Sequence, residues 1–96
     1  MYELQFTRAA WRYFKKIRDK KLAALFRDAL ETIAREPHKG SQKTGDLAGI
    51  YCYDVYYNKT NYEIAYRIYS NGKNIVIIIL AGTRENFYAV LKHYLS

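Results

Sequence analysis

Apolar and polar residues alternate from Tyr2 to Phe6, the two-residue period of a short strand. Thr7 follows, with a hydroxyl suited to capping a helix. From about Arg8 to Asp19 the period changes: Ala10, Phe14 and Ile17 recur at helical spacing. Arg12, Lys15, Lys16 and Arg18 fall largely outside that stripe. A second helix is predicted from about Lys21 to Arg35, with Leu22, Leu25, Phe26, Ala29, Leu30 and Ile33 inward. Pro37 cannot continue the hydrogen-bond ladder and ends it. The two helices make a hairpin with one apolar side.

Residues 38–46 are polar and read as a connecting loop, because neither flank could bury a core alone. Three strand-like runs follow. The first covers about Ile50 to Tyr57, with a turn at Asn58–Asn61. The second, Tyr62 to Tyr69, alternates cleanly: Tyr62, Ile64, Tyr66 and Ile68 point one way, and Glu63, Ala65, Arg67 and Tyr69 the other. Asn71-Gly72 signals a tight hairpin, since both residues tolerate positive φ. The third run, about Asn74 to Ala81, is continuously apolar, as a central strand covered on both faces is. A helix from about Arg84 to Leu95 closes the chain. The order β-α-α-β-β-β-α predicts an α+β domain. Its helical hairpin packs on one face of a mainly antiparallel four-stranded sheet, and the other face is left for function.

Length and composition narrow the classes. Ninety-six residues make one domain, and 50% apolar content is enough for a core. A single cysteine, Cys52, allows no internal disulfide and no cysteine-rich zinc site. The chain opens without an apolar signal region, and no stretch reaches the roughly 20 apolar residues of a membrane helix. A reducing cytoplasm is the expected setting. The net charge is +7, carried mostly by residues 1–45, with 11 Lys/Arg against 5 Asp/Glu. An anionic partner such as nucleic acid, an acidic protein or a membrane surface would explain it, and so would a solvated lysine-rich helix face.

Candidate chemistry is sparse. His38 and His93 have no partner at metal-ligand spacing, so no metal is expected. The absence of a glycine-rich phosphate loop argues against nucleotide-driven chemistry. Cys52 lacks the setting of a nucleophile and reads as a small buried residue. The 11 tyrosines serve packing first, with base stacking open to any that lie on a free sheet face. Arg84 and Tyr88, four apart after the apolar strand, would share a helical face and could handle a phosphate. Glu63 and Arg67 share a strand face, either as an exposed ion pair of little worth or as a site. Asp54 shares a face of the preceding strand with Cys52 and Tyr56.

Four stretches together resemble the RelE/ParE superfamily of bacterial type II toxin–antitoxin toxins, with order and spacing matched across nearly the whole chain. The opening Tyr2-Glu3-Leu4-Gln5-Phe6-Thr7-Arg8-Ala9-Ala10 resembles the family's first strand entering its first helix. Gly45-Asp46-Leu47-Ala48-Gly49-Ile50-Tyr51 is similar to its K-L-x-G stretch, closest to YoeB-like members. Asn61-Tyr62-Glu63-Ile64-Ala65-Tyr66-Arg67-Ile68 resembles the G-Y-R-L-V-Y-x-V strand, and Ala81-Gly82-Thr83-Arg84-Glu85-Asn86-Phe87-Tyr88 the G-K-R-E-x-x-x-Y terminus.

The resemblance implies a ribosome-dependent endoribonuclease, an mRNA interferase that stops translation, restrained by a cognate antitoxin and needing no cofactor. A ribose 2′-OH would attack the adjacent phosphate. Arg84 matches the terminal arginine that stabilises the phosphate, and Tyr88 the tyrosine that positions the nucleotide, two residues nearer the arginine than in RelE. The chain departs where RelE carries an arginine after G-Y, here Glu63, and two lysines on its second strand, here Asp54 and Tyr56. Glu63 would then be the base and Arg67 a phosphate partner. Arg12, Lys15, Lys16 and Lys20, with Lys59 and Tyr56, would meet RNA and the ribosome. The alternative within the superfamily is a ParE-like toxin that inhibits DNA gyrase and cuts nothing.

Overall fold

The structure, a computed structural model, describes residues 1–96. Its order is β1 (Glu3–Phe6), α1 (Arg8–Lys15), α2 (Lys20–Arg35), β2 (Ser41–Gln42), β3 (Tyr51–Tyr57), β4 (Thr60–Tyr69), β5 (Ile75–Thr83) and α3 (Phe87–Leu95). The strands form one sheet in the order β1-β5-β4-β3-β2, with β1 parallel to β5 and every other pair antiparallel. The expected four strands are thus five. The extra one, β2, lies in the segment read as loop, where Ser41 and Gln42 pair with Cys52 and Tyr51. Two residues are too few to show a period.

The helical hairpin covers one face of the sheet. Ala10, Leu22, Phe26, Ala29 and Ile33 pack there on Val55, Ile64, Tyr66, Val76, Ile78 and Ala81. A second, smaller cluster lies on the other face: Phe87 and Leu91 of α3, with Leu47 and Ile50, cover Cys52, Ala65, Ile79 and Leu80. Both faces of β5 are therefore buried along its centre, which is why its sequence is apolar without alternation. A bulge makes this possible. Leu80 pairs with Ala65 and Ile78 with Tyr66, so Ile79 is the extra residue. Ile79 and Leu80 then both serve the second cluster, and Gly82 comes to stand opposite Glu63. The Thr7 hydroxyl donates to the Ile79 carbonyl at 2.6 Å and accepts from the Ala10 N–H at 3.1 Å, tying the start of α1 to the bulge.

The helix limits differ from expectation where capping chemistry prevails. α1 stops at Lys15, short of the expected Asp19, because the Asp19 carboxylate caps α2 by accepting from the Lys21 and Leu22 N–H groups at 2.9 and 3.2 Å. α3 starts at Phe87 instead of Arg84, preceded by Asn86 at φ 64°. The tight hairpin sits at Asn58-Lys59, where both residues have positive φ (51° and 62°) and Tyr57 pairs with Thr60. At Asn71-Gly72 only Gly72 does, at 74°, within a longer loop between Tyr69 and Ile75.

Candidate functional site

Glu63 is the one charged residue buried in the protein, at 1% exposure. It sits mid-sheet on β4, opposite Asp54 of β3 and Gly82 of β5. Gly82 places no side chain beside it. The chain then leaves β5, and the Arg84 N–H donates back to the Asn61 carbonyl at 2.8 Å. That turn swings Arg84 over the sheet, and α3 delivers Tyr88 from the next turn. Tyr88 donates its hydroxyl to Glu63 Oε2 at 3.1 Å, and Arg84 Nε lies 3.4 Å from the same oxygen. Arg84 and Tyr88 therefore converge through a turn, not through one helical face as expected. Arg84 uses Nε for this pair while its side chain is 60% exposed, so the end of the guanidinium faces solvent.

Above this floor lies an open cleft of about 570 Å³, lined by Lys43, Thr44, Gly45, Asp46, Leu47, Arg84, Tyr88 and Lys92. Lys43 Nζ stands 5.0 Å from the centre of the Tyr88 ring, within the range of a cation–π contact. Lys92 and Asp46 form a loose, exposed pair at 3.9 Å across one end. Three cations against one carboxylate line a concave polar surface, an arrangement suited to a phosphate chain.

The electrostatics follow from burial. Glu63 is held above the ordinary glutamate range, first by loss of water and then by Asp54, against the opposing pull of Tyr88 and Arg84. Its Oε1 is buried and accepts no hydrogen bond. Burial raises Tyr88, so its hydroxyl keeps its proton at neutral pH. The Tyr88 hydroxyl raises Lys43, which stays charged. Cys52 is pushed up to about 12 by burial and by Glu63, leaving an unreactive thiol. Nowhere do three or more His, Cys, Asp or Glu side chains converge as a metal would require.

Three residues singled out in the sequence thus meet: Glu63, Arg84 and Tyr88. Arg67 does not join them. A Cβ built on Gly49 would lie 3.0 Å from its Nη1, and the ion pair of Glu63 is with Arg84. Arg67 also lies too far along β4, since a strand advances about 13 Å over the residues separating it from Glu63. Arg12, Lys15, Lys16 and Lys20 are exposed on the helical layer, across the sheet from the cleft. Lys59 sits in the β3–β4 turn, with Tyr56, 68% exposed, near it on β3. Sequence reasoning misses Lys43. It lies in a segment without periodicity, and only the β2 pairing, with the Lys43 N–H donating to the Ile50 carbonyl at 2.9 Å, brings it to Tyr88.

Comparisons with known proteins agree with this architecture. Residues 4–92 match the family described as ParE-like toxin of type II bacterial toxin-antitoxin system. No curated protein matches closely enough to count as a relative. Among solved structures, a chain of the RelBE2 toxin–antitoxin complex from Mycobacterium tuberculosis is 30% identical, with TM-score 0.64 over 86% of this chain and 98% of that one. A chain of the intact RelBE complex from Escherichia coli is 18% identical, with TM-score 0.67 over 85% and 95%. A mutant of the E. coli toxin RelE in the free state, also 18% identical, superposes with TM-score 0.69 over 96% of both chains, and these two show the fold. The chain belongs to the family of ParE-like toxins of type II bacterial toxin–antitoxin systems.

Proposed function

We propose that this toxin is a ribosome-dependent mRNA endoribonuclease that inhibits translation in the cytoplasm and is held in check by a cognate antitoxin. One observation carries the reading: a buried carboxylate is gripped by a phenol and a guanidinium that themselves line a cationic cleft. A surface that only docks on a protein has no use for a buried carboxylate with an orphaned oxygen. Such groups are costly, and they concentrate where proton transfer is needed.

The chemistry runs through a ribose 2′-OH. Glu63, held above the ordinary glutamate range by burial and Asp54, takes the hydroxyl proton as the 2′-oxygen bonds to the adjacent phosphorus. Arg84 and Lys43 stabilise the charge that builds on the phosphorane oxygens. As the P–5′-O bond breaks, Tyr88 gives its proton to the leaving oxygen. The Tyr88–Glu63 hydrogen bond then returns the proton from the acid to the phenolate, and the site is reset. Tyr56 and Lys59, at the tip of the β3–β4 hairpin, extend the RNA surface, and Arg12, Lys15, Lys16 and Lys20 offer a second basic face to ribosomal RNA.

The family match itself favours a second reading, a ParE-like toxin acting on DNA gyrase. Induction separates the two. The nuclease reading expects translation to stop first, with new mRNA ends on ribosomes, and Arg84→Ala to relieve growth arrest in a folded protein. Replication arrest with an SOS response, and intact mRNA, would eliminate it.

A further inference from the structure

Asp54 and Glu63 are direct partners in the β3–β4 ladder. Such partners hold their Cβ atoms about 4.5–5.5 Å apart, and like charges placed so repel. Ionised carboxylates only accept hydrogen bonds, so neither can satisfy the other. The two ends of Glu63 differ sharply. Oε2 receives Tyr88 and Arg84, whereas Oε1 is buried and receives nothing. A single proton between the carboxyl groups removes both problems, giving Oε1 a partner and cancelling one charge. We propose that Asp54 is a positioning residue for Glu63, the two carboxyl groups sharing one proton across the ladder. This rests on the reading of Glu63 as the base.

The groups around Glu63 define the balance. Asp54 faces it from β3, with the Cys52 thiol on the same face. Tyr88 faces it from α3, Arg84 from the preceding turn, and Lys43 acts from the segment after β2. Gly82 on β5 contributes no charge. Arg84 and Tyr88 favour the ionised carboxylate, while burial and Asp54 favour the proton. Asp54 is exposed and Glu63 is not. The pair therefore exchanges its proton with water through Asp54, and Glu63 becomes available as a base when the shared proton leaves. Its orientation is fixed at both oxygens, by Asp54 on one and by Tyr88 and Arg84 on the other.

Carbon-13 carboxyl NMR of the purified protein tests this without relying on cleavage. In the parent, the Glu63 resonance should titrate in two steps, as a member of a coupled pair does. Asp54→Asn replaces the shared proton by a permanent amide donor on an exposed, isosteric side chain. It should lower the Glu63 midpoint by about one unit or more. The acid limb of the pH profile for RNA cleavage on ribosomes should move down with it. An unmoved Glu63 midpoint, or a one-step Glu63 titration in the parent, would overturn the proposal. So would cleavage whose acid limb is the same in parent and variant, and the nuclease reading would survive. Coupled titration in a protein that cuts no RNA at any pH would sink the nuclease reading and leave the shared proton standing.

Discussion

Tyr88 reaches from α3 to the centre of the sheet and donates its hydroxyl to Glu63 Oε2 at 3.1 Å, 25 residues back along the chain. The bond joins the last helix to the buried carboxylate and does two jobs. It steadies the ionised form of Glu63, and it places the phenolic proton at the cleft floor. Tyr88→Phe removes both while keeping the ring under Lys43. Cleavage should fall about 10²-fold or more, as loss of a general acid does. The Glu63 midpoint should rise, since a donor to the carboxylate is lost. Carboxyl NMR and single-turnover cleavage read the two effects separately. A variant that cuts like the parent removes Tyr88 from the chemistry.

Glu63→Gln should separate function from stability. Burial and Asp54 hold the Glu63 carboxyl above its unfolded value, so the folded protein binds that proton more tightly. The stabilising share is complete below the unfolded value of about 4.3 and is lost as pH rises through the folded value. The glutamine amide carries no titration and can donate to Asp54 in place of the shared proton. Urea unfolding should find the variant at least as stable as the parent at pH 7, with a smaller decline from acid to neutral pH. RNA cleavage should vanish. Lower stability at pH 7 with an unchanged pH slope would contradict the placement of Glu63 as a strained carboxyl group kept for its role as the base.

The cleft assigns unequal roles to two cations. Lys43 lines it beside Tyr88, whereas Arg67 lies against Gly49 and outside it. Lys43→Ala should therefore cost about 10²-fold in cleavage, the scale for losing one preorganised charge at a reacting oxygen. Arg67→Ala should leave the rate close to the parent's. Kinetics on ribosomes programmed with one mRNA decide it, and equal losses would mean that the substrate extends along β4 towards Arg67.

Much of this is legible in the chain. The stripe of Leu22, Phe26, Ala29 and Ile33 marks α2 and its buried face, and the alternation from Tyr62 to Tyr69 puts Glu63 on the face away from the helical hairpin. Proximity of Arg84 and Tyr88 is legible too, although through the wrong geometry, because a positive φ at Asn86 leaves no periodic trace. Strand parity alone pairs Arg67 with Glu63. Parity fixes a face, but not the direction a long side chain takes across it. Lys43 is beyond reach for another reason: its position depends on long-range pairing of β2, and two residues carry no pattern.

That same segment is also anchored by a buried hydroxyl, which makes its placement testable. Tyr66 is fully buried, and its hydroxyl donates to the Pro37 carbonyl at 2.6 Å, 29 residues away. Its ring stacks on Tyr51 with centroids 5.8 Å apart. Gly40 passes so close that a Cβ there would collide with the Tyr66 hydroxyl and crowd the Cys52 carbonyl. The stretch from Pro37 to Lys43 is thus anchored to the sheet at Tyr66 before it delivers Lys43 to the cleft. Tyr66→Phe orphans the Pro37 carbonyl and should cost about 1–3 kcal/mol. Gly40→Ala should cost a similar amount, about 1–3 kcal/mol, through overpacking. Both should also weaken cleavage, because Lys43 loses its fixed approach. Urea unfolding gives the first effect. The second is read under conditions where each variant is fully folded. Destabilisation with normal cleavage would show that Lys43 finds the cleft without this anchor.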